Sequence, residues 1–158
     1  MKAIVFGLAL ACAPLAGIAA EDHPELTPGD EAYSAENYEL AARLYRKDAE
    51  LGVIVAQVSL AVMYMDGLGV AQSHQEAAKW FAKAAEQGNA EAQHNLGQLY
   101  QVGQGVAQNP IEADKWFILS GAAASSANVE KTMNPAQIAE ARKLAEDWKA
   151  AFKKARER

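Results

Sequence analysis

Cysteine is almost absent from this sequence of 158 residues, since Cys12 is the only one. Cys12 lies in an N-terminal segment that we expect to be removed, so the mature chain would have no cysteine. It would then have no disulfide, no thiolate ligand for a metal and no thiol nucleophile. Such a chain must be stabilised by packing, and hydrophobic residues, at 51% of the sequence, are enough for one folded domain.

Histidine is also scarce, and the three that occur are His23, His74 and His94. No two of them lie one helical turn apart, which is the spacing that two histidine ligands on one helix commonly have. No serine has the context of a nucleophile elbow, and paired carboxylates such as Glu146 and Asp147 have the pattern of exposed helix charge. We therefore expect no catalytic residue, no metal and no cofactor, and the sequence predicts a protein that is not an enzyme.

Basic residues are outnumbered, with 15 Lys and Arg against 20 Asp and Glu, for a formal net charge of −5. The first 20 residues contain Lys2 and no acidic residue, so their removal changes the net charge from −5 to −6. Nucleic acids are bound by dense clusters of lysine and arginine. Nucleic acid is therefore not an expected partner.

The first 20 residues have the layout of a secretory signal peptide. Lys2 precedes an apolar run, and the small residues Ala19 and Ala20 precede the acidic Glu21. We expect cleavage after Ala20 or Ala19, with no membrane insertion afterwards. This predicts a periplasmic or secreted protein.

Two alternatives to a cleaved signal peptide stay open. An uncleaved membrane anchor is disfavoured because the apolar run is short for a spanning helix and Pro14 interrupts it. A lipoprotein tethered through Cys12 is disfavoured because the run before Cys12 is very short. No later segment is a membrane candidate.

A repeat of 36 residues fills the middle of the chain. Residues 53–88 align without a gap on residues 89–124, and a fixed period of this size marks a repeat array. Residues 37–52 align on residues 73–88, so a shortened repeat precedes the two full ones. The identical pairs include Ala56/Ala92, Gln57/Gln93, Leu60/Leu96, Tyr64/Tyr100, Gly67/Gly103, Gly69/Gly105, Trp80/Trp116 and Phe81/Phe117.

Each full repeat is predicted to be two helices joined by a G-x-G-V loop. Leu96 and Tyr100 lie one turn apart in the first helix, and Trp80 and Phe81 lie on the apolar face of the second, which Gly88 ends. The loop does not match a phosphate-binding loop, because helices precede it and no third glycine follows. We interpret its glycines as residues of a turn that needs positive φ.

The motifs A-x-x-x-L-G-x-x-Y, G-x-G-V and A-x-x-W-F resemble those of the Sel1-like repeat family, a helix-loop-helix relative of the tetratricopeptide repeat. The resemblance covers residues 37–124. It departs from the pattern at Ala61, where the third repeat has Gly97, and at Asp114, which replaces an alanine. One repeat cannot bury its apolar face alone, so the resemblance implies an all-α fold, an α-solenoid of stacked repeats.

The resemblance also implies a function in protein–protein interaction. Small exported bacterial members include scaffolds and regulators of envelope processes, inhibitors of cell-wall enzymes, and immunity proteins against secreted phospholipase effectors. We expect a non-enzymatic periplasmic interaction module that acts as a scaffold or regulator. The alternatives are an immunity-type inhibitor that neutralises a secreted effector, and an enzyme that acts on peptidoglycan or a β-lactam.

Three further segments complete the predicted domain organisation. Residues 21–36 are expected to form an N-terminal arm and a short first helix, and residues 125–133 a loop. Residues 134–158 are predicted to form a C-terminal capping helix that covers the open end of the solenoid, with Asn134 as N-cap and Gln137 as its capping-box partner.

The first helix of each repeat lines the concave face in solenoids of this kind, and the repeat register then gives the groove positions. An apolar row from the second repeat faces a polar row from the third. Either the N-terminal arm covers the apolar row within the monomer, through Leu26 and Tyr33, or a partner protein docks on it. We expect a chain that is monomeric when free and binds another protein at Val55, Val58, Val62, Met65, Glu91, His94, Gln98 and Gln101.

Overall fold

The computed structural model describes residues 26–157, and within this range every regular element is a helix. The helices are α1 (Pro28–Ser34), α2 (Tyr38–Glu50), α3 (Ile54–Asp66), α4 (His74–Glu86), α5 (Ala90–Val102), α6 (Pro110–Ser120), α7 (Ala123–Glu130) and α8 (Pro135–Arg156). Each helix from α1 to α6 packs against the next one, and α8 packs against α6. The predicted all-α solenoid is thereby confirmed, while the signal peptide predicted for residues 1–20 lies outside the described residues.

Polar side chains cap the second helix of each repeat. Asn37, Ser73 and Asn109 occupy equivalent positions in the repeat. The side-chain oxygen of each accepts a hydrogen bond from a backbone N–H in the first turn of α2, α4 or α6. These bonds satisfy N–H groups that have no partner within the helix, so the start of each second helix is determined locally.

The G-x-G-V loop turns the chain between the two helices of a repeat. Gly67 ends α3 and Gly103 ends α5, both in the left-handed conformation with φ of 70° and 74°. Gln72 and Gln108 then fold back, and each donates from Nε2 to a carbonyl oxygen in the last turn of the preceding helix, at 2.7 and 2.8 Å. The loop is therefore closed by bonds within its own repeat.

The second glycine of the loop packs against the preceding repeat. A Cβ at Gly69 would overlap the backbone of Tyr38 at the start of α2. A Cβ at Gly105 would overlap the backbone carbonyl of His74 at the start of α4 in the same way. These glycines allow one repeat to approach the next, so the loop is a contact between repeats as well as a turn.

Aromatic side chains of the second helices fill the core of the array. Phe81 and Phe117 are fully buried, and Trp80 and Trp116 are nearly so. Small alanines such as Ala77 lie beside them and leave room for the rings. The W-F pairs are therefore core residues, and Phe117 contacts Gly97 and His94 of α5 in its own repeat. Their packing between repeats stays a prediction.

Two buried glutamines connect successive repeats. Gln57 of α3 donates from Nε2 to the carbonyl oxygen of Ala49 in α2, at 3.1 Å, and Gln93 of α5 donates to Ala85 in α4 at the same distance. Both glutamines are buried. Because a buried amide without a partner is costly, each bond fixes how a first helix sits on the helix before it.

The last helix, α8, covers the C-terminal end of the array. Asn134 and Gln137 form its capping box. Trp148 lies edge-on to Trp116 of α6, with ring centroids 6.3 Å apart, and stacks on Phe152 at 4.6 Å. The Phe152 ring also lies against Gly88 at the end of α4, so α8 reaches across two repeats.

The loop predicted for residues 125–133 is wrong, because α7 occupies most of that segment as a helix from Ala123 to Glu130. Its serines and asparagine suggested a loop. However, the Ser126 hydroxyl donates to the Asp114 carboxylate at 2.5 Å, and Val129 is buried. Contacts with α6 therefore stabilise a helix that the local sequence favours only weakly.

Candidate functional site

A cleft of about 280 Å³ opens at the start of α3 and α5. Four residues of the predicted groove, Val55, Val58, Val62 and Glu91, line this cleft. The structure thus brings the three valines of the apolar row together with the first residue of the polar row. The other lining residues are Tyr33, Tyr45, Ser59 and Asn89.

The valines of the cleft differ in exposure. Val58 is only 8% exposed and belongs to the core, so it forms the floor. Val62 is half-buried, whereas Val55 is 64% exposed and lies at the rim. Of these three, Val55 is the side chain that can be tested without disturbing the core.

An exposed apolar rim extends from Val55 into the turn before α3. Leu51 is 75% exposed and Val53 is 47% exposed, so three apolar side chains in five residues face solvent. The predicted cover of the apolar row by the N-terminal arm is partial. Tyr33 of α1 lines the cleft, while Leu26 is itself exposed. Within residues 26–157, about half or more of each side chain of the apolar rim therefore stays exposed.

Four predicted groove residues lie outside the cleft. His94 packs against the Phe117 ring, with ring centroids 5.5 Å apart, and so faces α6. Gln101 lines a separate opening near α7. Met65 packs against the core, and Gln98 is exposed, but neither lines the cleft.

Sequence reasoning missed three residues of the cleft, Tyr45, Ser59 and Asn89, and named Tyr33 only as a cover of the apolar row. Ser59 lies one turn from Val55 and Val62, so helical spacing could have found it. Asn89 precedes α5 and caps it through its side chain. Tyr45 comes from α2, and the way α2 packs against α3 has no signal in the repeat register.

A hydrogen-bonded pair of tyrosine and aspartate lies beside the cleft. The Tyr45 hydroxyl donates to Oδ1 of Asp30 at 2.7 Å. This bond, followed by that from Thr27, holds the pKa of Asp30 below its usual value. Burial, followed by the bond to Asp30, raises the pKa of Tyr45. At neutral pH the cleft therefore has a neutral phenol with a carboxylate behind it.

The described residues offer little for other kinds of site. Within residues 26–157, no cluster of three or more histidine, cysteine, aspartate or glutamate side chains is placed to hold a metal ion. None of the helices in this range combines the length and apolar character needed to cross a membrane.

The stacked helix pairs and the concave apolar cleft define the class of protein, which is a helical-repeat solenoid. The family model for the Sel1 repeat matches residues 28–53, 54–89 and 90–125, together more than half of the chain. The chain therefore belongs to the Sel1 repeat family. The first match begins at residue 28, so α1 is part of the first repeat and the predicted division into an arm (21–36) and a partial repeat (37–52) needs correction.

Solved structures with similar folds are also repeat proteins. The c5321 protective antigen of uropathogenic Escherichia coli strains, which displays an SLR fold, matches with a TM-score of 0.71 and 27% identity over 82% of this chain and 31% of that one. A Sel1 repeat protein from Oxalobacter formigenes matches with a TM-score of 0.56 and 38% identity over 66% of this chain and 43% of that one. This chain therefore spans less than half the length of either protein. No curated protein matches it.

Sel1 repeat proteins generally act as modules that bind other proteins, and typically as scaffolds without enzymatic activity. For this chain, a surface that could bind a protein is therefore of greater interest than a catalytic group.

Proposed function

We propose that this chain is a non-enzymatic interaction module of the cell envelope, a scaffold or regulator that binds another protein at the cleft beside α3. The observation that carries this proposal is a cleft lined by valines whose exposed member, Val55, follows the exposed Leu51 and Val53 in the chain. Full burial of one aliphatic side chain contributes about 1.5–3 kcal/mol. Covering this rim would thus contribute a useful part of a binding free energy, before the costs of association.

Two features support the other parts of the proposal, which are the location in the cell envelope and a role in binding instead of catalysis. The signal-like sequence of residues 1–20 supports export to the periplasm. No histidine lies among the described lining residues of the cleft, and its three valines, Val55, Val58 and Val62, outnumber its single carboxylate, Glu91. The lining fits binding better than catalysis.

The experiment compares two valines with matched exposure. Val55 lies in the cleft and is 64% exposed, while Val102 lies on α5 outside the cleft and is 59% exposed. We expect Val55→Asn to lose capture of the partner from an extract of envelope proteins, while Val102→Asn retains it. Both variants should melt at the temperature of the wild type. Equal capture by Val55→Asn and wild type would refute the assignment of the cleft.

A further inference from the structure

Charge is segregated between the two helices of each repeat. The first helices, α1, α3 and α5, and also α7, contain acidic residues and no lysine or arginine. Within residues 26–157, every lysine and arginine except Lys131 lies on α2, α4, α6 or α8. The acidic residues of the first set are Asp30, Glu31, Asp66, Glu91 and Glu130.

The cations near these helices do not reach the cleft. Arg46 of α2 donates to the Tyr64 hydroxyl of α3 at 2.6 Å, but Tyr64 does not line the cleft. Lys79 of α4 pairs with Glu76 on its own helix. Lys131 lines the separate opening near α7. The lining of the cleft therefore contains no positive charge among the described residues.

Negative charge, in contrast, lies in the cleft and next to one of its lining residues. Glu91 lines it from the first turn of α5 and is exposed. The Asp30 carboxylate lies behind Tyr45, which also lines it. Within residues 26–157, neither carboxylate has a lysine or arginine within ion-pair distance. A partner that covers the cleft would desolvate Glu91, which is unfavourable unless the partner supplies a positive charge.

We propose that the cleft binds a basic amphipathic segment of the partner protein, whose apolar ridge covers Val55 and Val62 and whose positive side chains face Glu91. This inference rests on the proposed function and adds the chemistry of the partner. An acidic segment would place like charges together, and a neutral one would leave Glu91 desolvated without compensation. Charge complementarity therefore selects a cationic segment.

The test uses two synthetic helical peptides with the same ridge of leucines at i, i+3 and i+7. One peptide carries lysine at the other positions and the second carries glutamate. Binding to the chain is measured by fluorescence anisotropy at low and at physiological salt. We expect the lysine peptide to bind at least about tenfold more tightly, with an advantage that shrinks as salt rises.

A matched pair of variants tests whether peptide binding depends on the charge at the cleft or on the overall negative charge of the chain. Glu91 and Glu39 are each the second residue of a 13-residue helix, α5 and α2 respectively. Glu39 lies beside the Gly69 loop and does not line the cleft. Glu91→Lys should weaken binding of the lysine peptide about tenfold, while Glu39→Lys, with the same change in net charge, changes it less than about twofold.

Melting curves of both variants check that the fold is kept, and Glu91→Gln provides a milder substitution that should weaken binding about threefold. Equal affinity for the two peptides, no binding of either, or equal losses in Glu91→Lys and Glu39→Lys would overturn the inference. The proposed function would survive each of these results if Val55→Asn still loses the captured protein.

A second copy of the chain is the other possible source of a basic segment, because α8 ends with Lys153, Lys154 and Arg156. Sedimentation of the chain alone distinguishes this source. A dimer that Glu91→Lys dissociates would identify α8 of another copy as the occupant and would overturn the proposal of a separate partner. A monomer that binds the lysine peptide supports the proposal.

Discussion

Replacement of Gly105 by alanine should destabilise the chain more than the same replacement at Gly121. Both glycines have positive φ, 71° at Gly105 and 78° at Gly121. They differ in their surroundings, since a Cβ at Gly105 would overlap the His74 carbonyl of the preceding repeat, while a Cβ at Gly121 would meet nothing within 4 Å. The pair therefore separates backbone strain from the contact between repeats.

The left-handed conformation costs a residue with a Cβ about 1–2 kcal/mol, and this cost applies to both variants. At Gly105 the loop must also move away from α4, and overpacking of this kind costs about 1–3 kcal/mol more. Val106, which is half-buried against the core, would lose contacts in that movement. We expect Gly121→Ala to lower the free energy of unfolding by about 1–2 kcal/mol and Gly105→Ala by about 2–5 kcal/mol.

The measurement is urea unfolding followed by far-UV circular dichroism, with midpoints compared at equal slope. Gly69→Ala provides a second copy of the experiment, because its Cβ would overlap the backbone of Tyr38 in the same way. Losses at Gly69 and Gly105 that equal the loss at Gly121 would refute the argument, since the G-x-G-V loop would then be a turn with no role between repeats.

Three other changes test separate contacts. Burial raises the pKa of Asp114, so the folded chain binds a proton that the unfolded chain releases. The free energy of unfolding of the wild type should therefore fall as pH rises from about 4 towards 7. Asp114→Asn should flatten this fall when unfolding is measured at each pH. Gln93→Leu removes the hydrogen bond to the Ala85 carbonyl, which still accepts a backbone N–H. The free energy of unfolding in urea should therefore fall by about 1 kcal/mol. Phe152→Ala removes a half-buried ring stacked on Trp148, so the free energy of unfolding should fall by about 2 kcal/mol. An unchanged unfolding midpoint would mean that α8 does not stabilise the array.

Part of the candidate site could be predicted from the sequence. Val55, Val58 and Val62 share a helix face, and Glu91 is the equivalent of Val55 in the next repeat, so spacing and register were enough to group these four. The same register also placed His94 in the groove, but its ring packs on Phe117 of α6 and does not line the cleft. The spacing of residues along one helix does not determine the angle at which the next helix crosses it.

The segment 125–133 shows a second limit of sequence reasoning. Its serines favour loops by local preference, and no side chain caps α7. The helix forms because Ser126 reaches a buried carboxylate, and that carboxylate, Asp114, stands where the second repeat has Ala78. A contact of this kind joins distant residues and has no periodic pattern.

The sequence by itself determined the class of fold, the length of the repeat, the positions of the turns and the caps of the second helices. These depend on φ angles and hydrogen bonds within a few residues, so each repeat specifies them independently. The tertiary structure decided which side chains line the cleft, that residues 123–130 are helical, and that Glu91 is the one charged side chain among the described lining residues. Those properties depend on how helices from different repeats approach one another. That approach is determined by the volumes of side chains such as Tyr45 and by the absence of a Cβ at Gly69 and Gly105.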